Sequence, residues 1–176
     1  PKVSRQGKKL TNLIYGAKNV EQLTESQKKQ IVQLHKRMLK TKTGQILLAT
    51  IQKGEGGGLL VLVGKGKRKS AEFKEIMNNL NTSTHPANQF PKGMRCFFHN
   101  KQLNRCSTAA GLFQITKTNF DKYARHLGIR DFSVESQQII ALELIRTGNA
   151  IRVPGHYKGR GYVELMRGNT NNAIRY

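Results

Sequence analysis

Apolar residues recur at helical spacing along most of this chain. Thr24-Glu25-Ser26-Gln27 has the form of a capping box, and Ile31, Leu34, Met38 and Leu39 follow three or four positions apart. This predicts a helix over 25–40, basic on its outer face. Ile46, Leu47, Leu48 and Ile51 predict a second, buried helix that stops at Gly54, because Gly56-Gly57-Gly58 bars its continuation. Leu59 to Val63 is an unbroken apolar run between glycines and reads as a short buried strand. Gly64 to Lys69 reads as a basic turn and residues 70–80 as a helix. Residues 81–105 read as loop, with a strand at Met94 to Phe98. Thr116 can cap a helix that carries Phe120, Tyr123 and Leu127 and ends at Gly128. Ser133 can cap another, carrying Ile139, Ile140, Leu144 and Ile145 and ending at Gly148, and a short helix is expected near 162–167. Residues 1–22 have no clear period and read as a loose arm or an irregular helix. Helices with a small sheet inserted early make an α+β layout.

Composition changes this picture chiefly through charge. The 176 residues carry 31 Lys and Arg against 10 Asp and Glu, a formal +21, spread along the chain and thickest in its first 45 residues. Such a field recruits polyanions: nucleic acid, anionic lipid headgroups or a bacterial envelope. There is no run of about 18 apolar residues and no charged-then-apolar N-terminus, so neither a membrane span nor an export signal is expected. Cys96 and Cys106 stand ten apart without companions at metal-ligand spacing, so no metal site is expected. They are either two reduced thiols or a disulfide across a hairpin; the second would place the protein in an oxidising space such as a periplasm.

Ten carboxylates can be examined one by one. Glu21 and Glu25 read as capping or surface charges, and Glu72 and Glu75 as one solvated helix face. Asp121, Asp131, Glu135 and Glu164 lie at helix starts or turns, and Glu143 has Arg146 three residues on as a partner. Glu55 differs, because it follows an apolar helix and precedes three glycines and an apolar run. The negative end of the helix dipole and apolar walls should raise its pKa, as a general acid for a glycosidic oxygen requires. By position alone, a turn carboxylate beside a glycine cap is the more ordinary role. The stretch Ser107-Thr108-Ala109-Ala110-Gly111-Leu112-Phe113-Gln114-Ile115 reads as a tight turn entering a helix. Its small residues would let a ligand approach the backbone, with one amide side chain to hold it; ordinary packing with an exposed Gln is the alternative.

Taken together, Gly54-Glu55-Gly56 after a buried helix and Ala110-Gly111-Leu112-Phe113-Gln114-Ile115 further on resemble the lysozyme-like superfamily of peptidoglycan lytic enzymes. The likeness is greatest to the lambda-type phage endolysins. His85-Pro86, the Ser107–Gly111 turn with Gln114, Leu127-Gly128-Ile129-Arg130-Asp131-Phe132-Ser133 and Ser136-Gln137 carry it over about 44–174. Residues 1–43 have no counterpart, a glycine stands where that family has Ser before the Glu, and the chain ends at Tyr176, short of the family's length.

The resemblance implies a mainly helical, lysozyme-like α+β domain at 44–176, with a small sheet flanking a sugar-binding cleft. It implies cleavage of the β-1,4 bond between N-acetylmuramic acid and N-acetylglucosamine by Glu55 alone, without cofactor, to a 1,6-anhydro product. Ser107, Thr108, Gly111, Phe113, Gln114 and His85 are the expected substrate-binding residues. A pair of carboxylates about 5–9.5 Å apart would instead mark a hydrolytic muramidase. A non-enzymatic cationic protein that binds nucleic acid or envelope is the remaining alternative, though no recognised nucleic-acid motif appears. The expected place of action is the bacterial periplasm or cell wall, reached through a holin, a virion or a secretion machine. The basic segment 1–43 is expected to bind anionic envelope polymers or lipids. Phage endolysin, virion-borne lysin and secreted antagonist are equally compatible with the sequence.

Overall fold

The computed structural model describes residues 19–55 and 57–147. It is mainly helical with one two-stranded antiparallel sheet, the α+β class expected. Residues 1–18 of the expected arm 1–22, Gly56, Gly148, Glu164 and the helix near 162–167 lie outside the described residues, and the end of that arm forms a 3₁₀ turn, Val20–Gln22. The described chain divides into two compact units, residues 19–54 with 141–147, and residues 55–140.

In the first unit, α1 (Glu25–Leu39) begins with the capping box its sequence predicts. Gln27 N–H donates to Thr24 Oγ1 at 3.2 Å, and the Gln27 side chain accepts from Thr24 N–H at 2.9 Å. Helix α2 (Lys42–Glu55) starts earlier than its apolar stripe and runs one residue past Gly54, so Glu55 is its last residue. Thr41 sets this start: its Oγ1 accepts from Gly44 N–H at 3.0 Å. Gly44 is needed there, because a Cβ would overlap the Met38 carbonyl. Ile31, Met38, Leu47, Leu48 and Ile51 are buried in this unit, together with Leu142 and Ile145 of α5 (Val134–Arg146).

This core encloses a charged cluster. Glu143 has no exposed surface; its Oε2 accepts from His35 Nε2 at 2.8 Å and its Oε1 from Arg146 Nε at 2.7 Å. Burial would push the Glu143 carboxyl up, but the hydrogen bond and charge of His35, then Arg146, hold it below its ordinary value. The expected Arg146 partner is present; His35, 108 residues away, was not foreseeable from spacing.

In the second unit, Ser70 caps α3 (Ala71–Asn78), Thr116 caps α4 (Lys117–Leu127), and Gly128 closes α4 in the left-handed conformation. The strands are β1 (Phe98–Asn100) and β2 (Arg105–Ser107), with Phe98 opposite Ser107 and Asn100 opposite Arg105. Two strand expectations are corrected. Met94 to Phe98 is not a strand: Pro91 starts a 3₁₀ turn over Lys92–Met94, and pairing begins only at Phe98. Leu59 to Val63 is a turn followed by a single bridge from Leu62 to Ala110. Its partner is itself a tight turn with few groups to pair, and Gly64 and Lys65 then turn left-handed, which ends the extended backbone. Phe73, Phe90 and Phe97 pack as one aromatic group, with Phe73 and Phe90 centroids 4.6 Å apart. Cys96 and Cys106 form a disulfide across the hairpin, which decides between the two readings of these cysteines.

Candidate active site

Glu55 is half-buried at the end of α2, and the chain from Gly57 onward runs directly onto the Ser107–Ile115 stretch. Gly57 is buried against that turn: a Cβ there would overlap the Gly111 carbonyl oxygen and lie 3.1 Å from Gln114 Nε2. Beyond it, Gly111 N–H donates to the Val61 carbonyl at 2.9 Å, and Val63 N–H to that of Ala109 at 2.9 Å. Segment 57–63 and turn 109–115 are therefore one hydrogen-bonded structure, and Glu55 stands two residues before it.

The turn closes on itself through a bridge between Ala110 and Ile115, whose N–H groups donate to each other's carbonyls at 3.0 and 2.9 Å. Gly111 has φ +85°, and a Cβ there would come within 2.8 Å of the Phe132 ring and overlap Gln137 Oε1. The two glycines thus serve close approach of the protein to itself, a different use from the expected approach of a ligand to the backbone. Gln114 also has a positive φ, +51°, a strained conformation for a side-chain-bearing residue. Its Nε2 is tied to the carbonyls of Val61 at 3.1 Å and Gly111 at 3.0 Å. Gln114 Oε1 accepts no hydrogen bond among the described residues, so the carbonyl end of the amide is the part left for a ligand.

Ser107 and Thr108 are half-buried at the entry to the turn. Ser107 Oγ accepts from Ala109 N–H at 3.3 Å, and Thr108 Oγ1 from Lys117 N–H at 2.9 Å, fixing the approach to α4. Phe113 (4% exposed) and His85 (0%) lie in the interior, where they support the turn from within. His85 Nδ1 accepts from Ala87 N–H at 3.0 Å and its Nε2 donates to the Ile115 carbonyl at 2.7 Å. Burial is the main reason its pKa is lowered to about 4; the Ile115 carbonyl and Asp121 oppose the shift, and Lys117 adds to it.

One residue of this structure has a role that the sequence did not assign to it. Gln137 is fully buried; its Nε2 donates to the carbonyls of Phe132 at 2.9 Å and Leu59 at 3.1 Å, and its Oε1 accepts from Leu112 N–H at 2.9 Å. A single amide thereby clamps both halves of the assembly. The signal was available: Gln137 shares the stripe of Ile140, Ala141 and Leu144, and a polar residue on an apolar face needs buried partners.

The other described carboxylates of this unit have separate settings. Glu72 and Glu75 are exposed on α3, and Glu135 is exposed in the first turn of α5. Asp121 is bonded to Asn88 at 3.0 Å and to Lys117; burial would raise its pKa, but these partners bring it below the usual value. The Asp131 carboxylate accepts from Ser136 and Ser133, which lower its pKa. Among the described residues no group of His, Cys, Asp and Glu could hold a metal, and no helix is long and apolar enough to cross a membrane. A shallow concavity lined by Glu75, Ile76, Asn79, Leu80 and Gln89 includes none of the expected site residues.

Comparison with known proteins adds one finding. Residues 45–158 match the family model described as Endolysin. Searches of the curated proteins and of the solved structures find no match.

Proposed function

This chain belongs to the endolysin family of phage cell-wall-degrading enzymes, whose substrate is peptidoglycan, and from that premise we propose that Glu55 cleaves the glycan strands by lytic transglycosylation. Glu55 protonates the glycosidic oxygen between N-acetylmuramic acid and N-acetylglucosamine. The muramic C6 hydroxyl then attacks C1, and the Glu55 carboxylate takes the hydroxyl proton, returning the enzyme to its starting state. The products are a 1,6-anhydro sugar and a free 4-hydroxyl, and no water is consumed. Ser107, Thr108, Gly111 and the Gln114 carbonyl oxygen are assigned to the sugar, with Phe113 and His85 positioning the turn beneath them.

The observation that carries this reading is the packing of Gly57 on the Gly111–Gln114 turn, which ties Glu55, a half-buried carboxylate at a helix end, to the strained turn that bears the Gln114 amide. The other described carboxylates of the unit are exposed on other elements or engaged by Asn88, Lys117, Ser133 and Ser136, which favours one acid/base over a pair. The basic segment 1–43 lies outside the matched residues, and we assign it to delivery onto anionic envelope polymers or lipids.

Mass spectrometry of digested peptidoglycan tests the proposal. Glycans should end in 1,6-anhydro sugars, and Glu55→Gln should lower the rate by at least about 10²–10⁴-fold with the fold intact. Reducing-end muramic acid as the main product would make the enzyme a hydrolytic muramidase. A near wild-type rate for Glu55→Gln would remove Glu55 from the chemistry.

A further inference from the structure

The turn at 63–69 and, Ser107 apart, the β1–β2 hairpin have no part in the chemistry above, yet they form an unusual surface. Between Gly57 and Ala71, and again between Ile76 and Phe120, the sequence holds no Asp or Glu but nine Lys and Arg. Three of the nine are engaged internally: Lys69 with the Cys96 carbonyl, Arg95 with that of Phe90, and Lys117 with Asp121. Lys65, Lys67, Arg68, Lys101 and Arg105 are exposed, and their side chains have no hydrogen-bond or ion-pair partner among the described residues.

The turn that presents the first three of these is held in a costly shape. Gly64, Lys65, Gly66 and Arg68 all have positive φ, from +51° to +72°. Packing maintains it: Gly66 lies against Phe73 and Met77, and a Cβ at Gly64 would stand 3.4 Å from the Phe98 ring. The basic turn is thus docked on the base of the hairpin. Extended backbone brings the hairpin tip to within roughly 10 Å of that base, comparable to a Debye length at physiological salt.

Apolar side chains stand among these charges. Phe98 is 47% exposed on β1, and Leu103, at the tip between Lys101 and Arg105, is 64% exposed. A glycan polymer or a nucleic-acid backbone would meet the lysines but has no place for an exposed leucine. The boundary between lipid headgroups and acyl chains accepts both.

We propose that this face docks on an anionic phospholipid bilayer, with Leu103 and Phe98 at the headgroup–acyl boundary and Lys65, Lys67, Arg68, Lys101 and Arg105 against lipid phosphates. The docking is independent of the Glu55 chemistry, and its test measures no turnover.

The chain has no tryptophan, so a single one is a clean reporter. In the full chain, Leu103→Trp should shift its emission to the blue on vesicles of phosphatidylglycerol and phosphatidylethanolamine. Brominated acyl chains should quench it. Ile46→Trp and Val134→Trp, at positions 56% and 47% exposed, should show neither response. Changing Lys65, Lys67 and Arg68 to Gln in the Leu103→Trp background should weaken partitioning roughly fivefold per charge, about a hundredfold for the three. Unshifted emission from the Leu103→Trp variant on vesicles that do bind the protein would overturn the proposal and leave adsorption to other basic segments. Equal shifts at all three positions, or an undiminished shift on pure phosphatidylcholine, would overturn it too.

Discussion

Acidification should loosen the turn that carries Gln114, and His85 makes the effect calculable. Its Nδ1 accepts from Ala87 N–H and its Nε2 donates to the Ile115 carbonyl, so the neutral Nε2–H form satisfies both partners. A second proton would have to go on Nδ1, where it would face the Ala87 N–H donor inside a fully buried pocket. The folded pKa is accordingly lowered, from 6.5 to about 4, with burial the main cause. A lowered histidine pKa means that the unfolded chain binds the proton more readily. This group's contribution is therefore complete above pH 6.5, declines as pH falls from 6.5 to about 4, and is gone below that. Over that window of about 2.5 units the loss is on the order of 3 kcal/mol, at 1.36 kcal/mol per unit. Urea unfolding of the wild type and of His85→Phe across the window measures it. The variant starts less stable, because it lacks both hydrogen bonds, but it should lack about one proton's worth of slope. Asp121 and Lys117, which oppose and reinforce the shift, are present in both proteins and cancel in the comparison. NMR should show the His85 ring titrating near 4. A His85 titration at 6 or above in the folded protein, or equal slopes for the two proteins, would refute the reasoning.

Glu143→Gln should destabilise the protein by about 3 kcal/mol or more, because His35 and Arg146 lose a shared buried carboxylate; an unchanged Tm would contradict this. Since the Glu143 pKa is lowered, its contribution is complete above 4.5 and lost as pH falls further, so it adds to acid unfolding beneath the His85 window. Gly57→Ala should cost about 1–3 kcal/mol and reduce wall lysis, because its Cβ meets backbone at Gly111. Gly93→Ala, with nothing within 4 Å, should stay within about 0.5 kcal/mol, and equal melting of the two variants would count against the packing argument. Reducing the Cys96–Cys106 disulfide should cost about 3 kcal/mol by loop entropy for a separation of 10, seen as a lower Tm in dithiothreitol that a double Ser variant does not show.

Most of what depends on neighbours along the chain was legible in the sequence, the 3₁₀ turn at Lys92–Met94 excepted. The Thr24–Gln27 box, the Thr116 and Ser133 caps, the Gly128 stop and the apolar stripes of α1 and α5 are satisfied within a turn or two, and they appear where expected. The family resemblance, read from Glu55, the Ser107–Gln114 stretch and His85-Pro86, agrees with the matched span. Only the tertiary structure decided which distant groups meet. Leu59 to Val63 had the composition of a strand, but a strand needs a partner, and the partner offered was the three residues Ala109 to Gly111. Gln114, with its positive φ, shares its amide between the nearby Gly111 carbonyl and that of Val61, 53 residues earlier, and only the second of these lay beyond local spacing. His85 read as a ligand-binding residue, Gln137 only as part of the family likeness and Glu143 as a helical residue paired with Arg146, until burial made each of them a hub of hydrogen bonds. The physical reason is common to all three. A polar side chain taken out of water must find partners wherever the folded chain places them, and sequence spacing does not encode that distance.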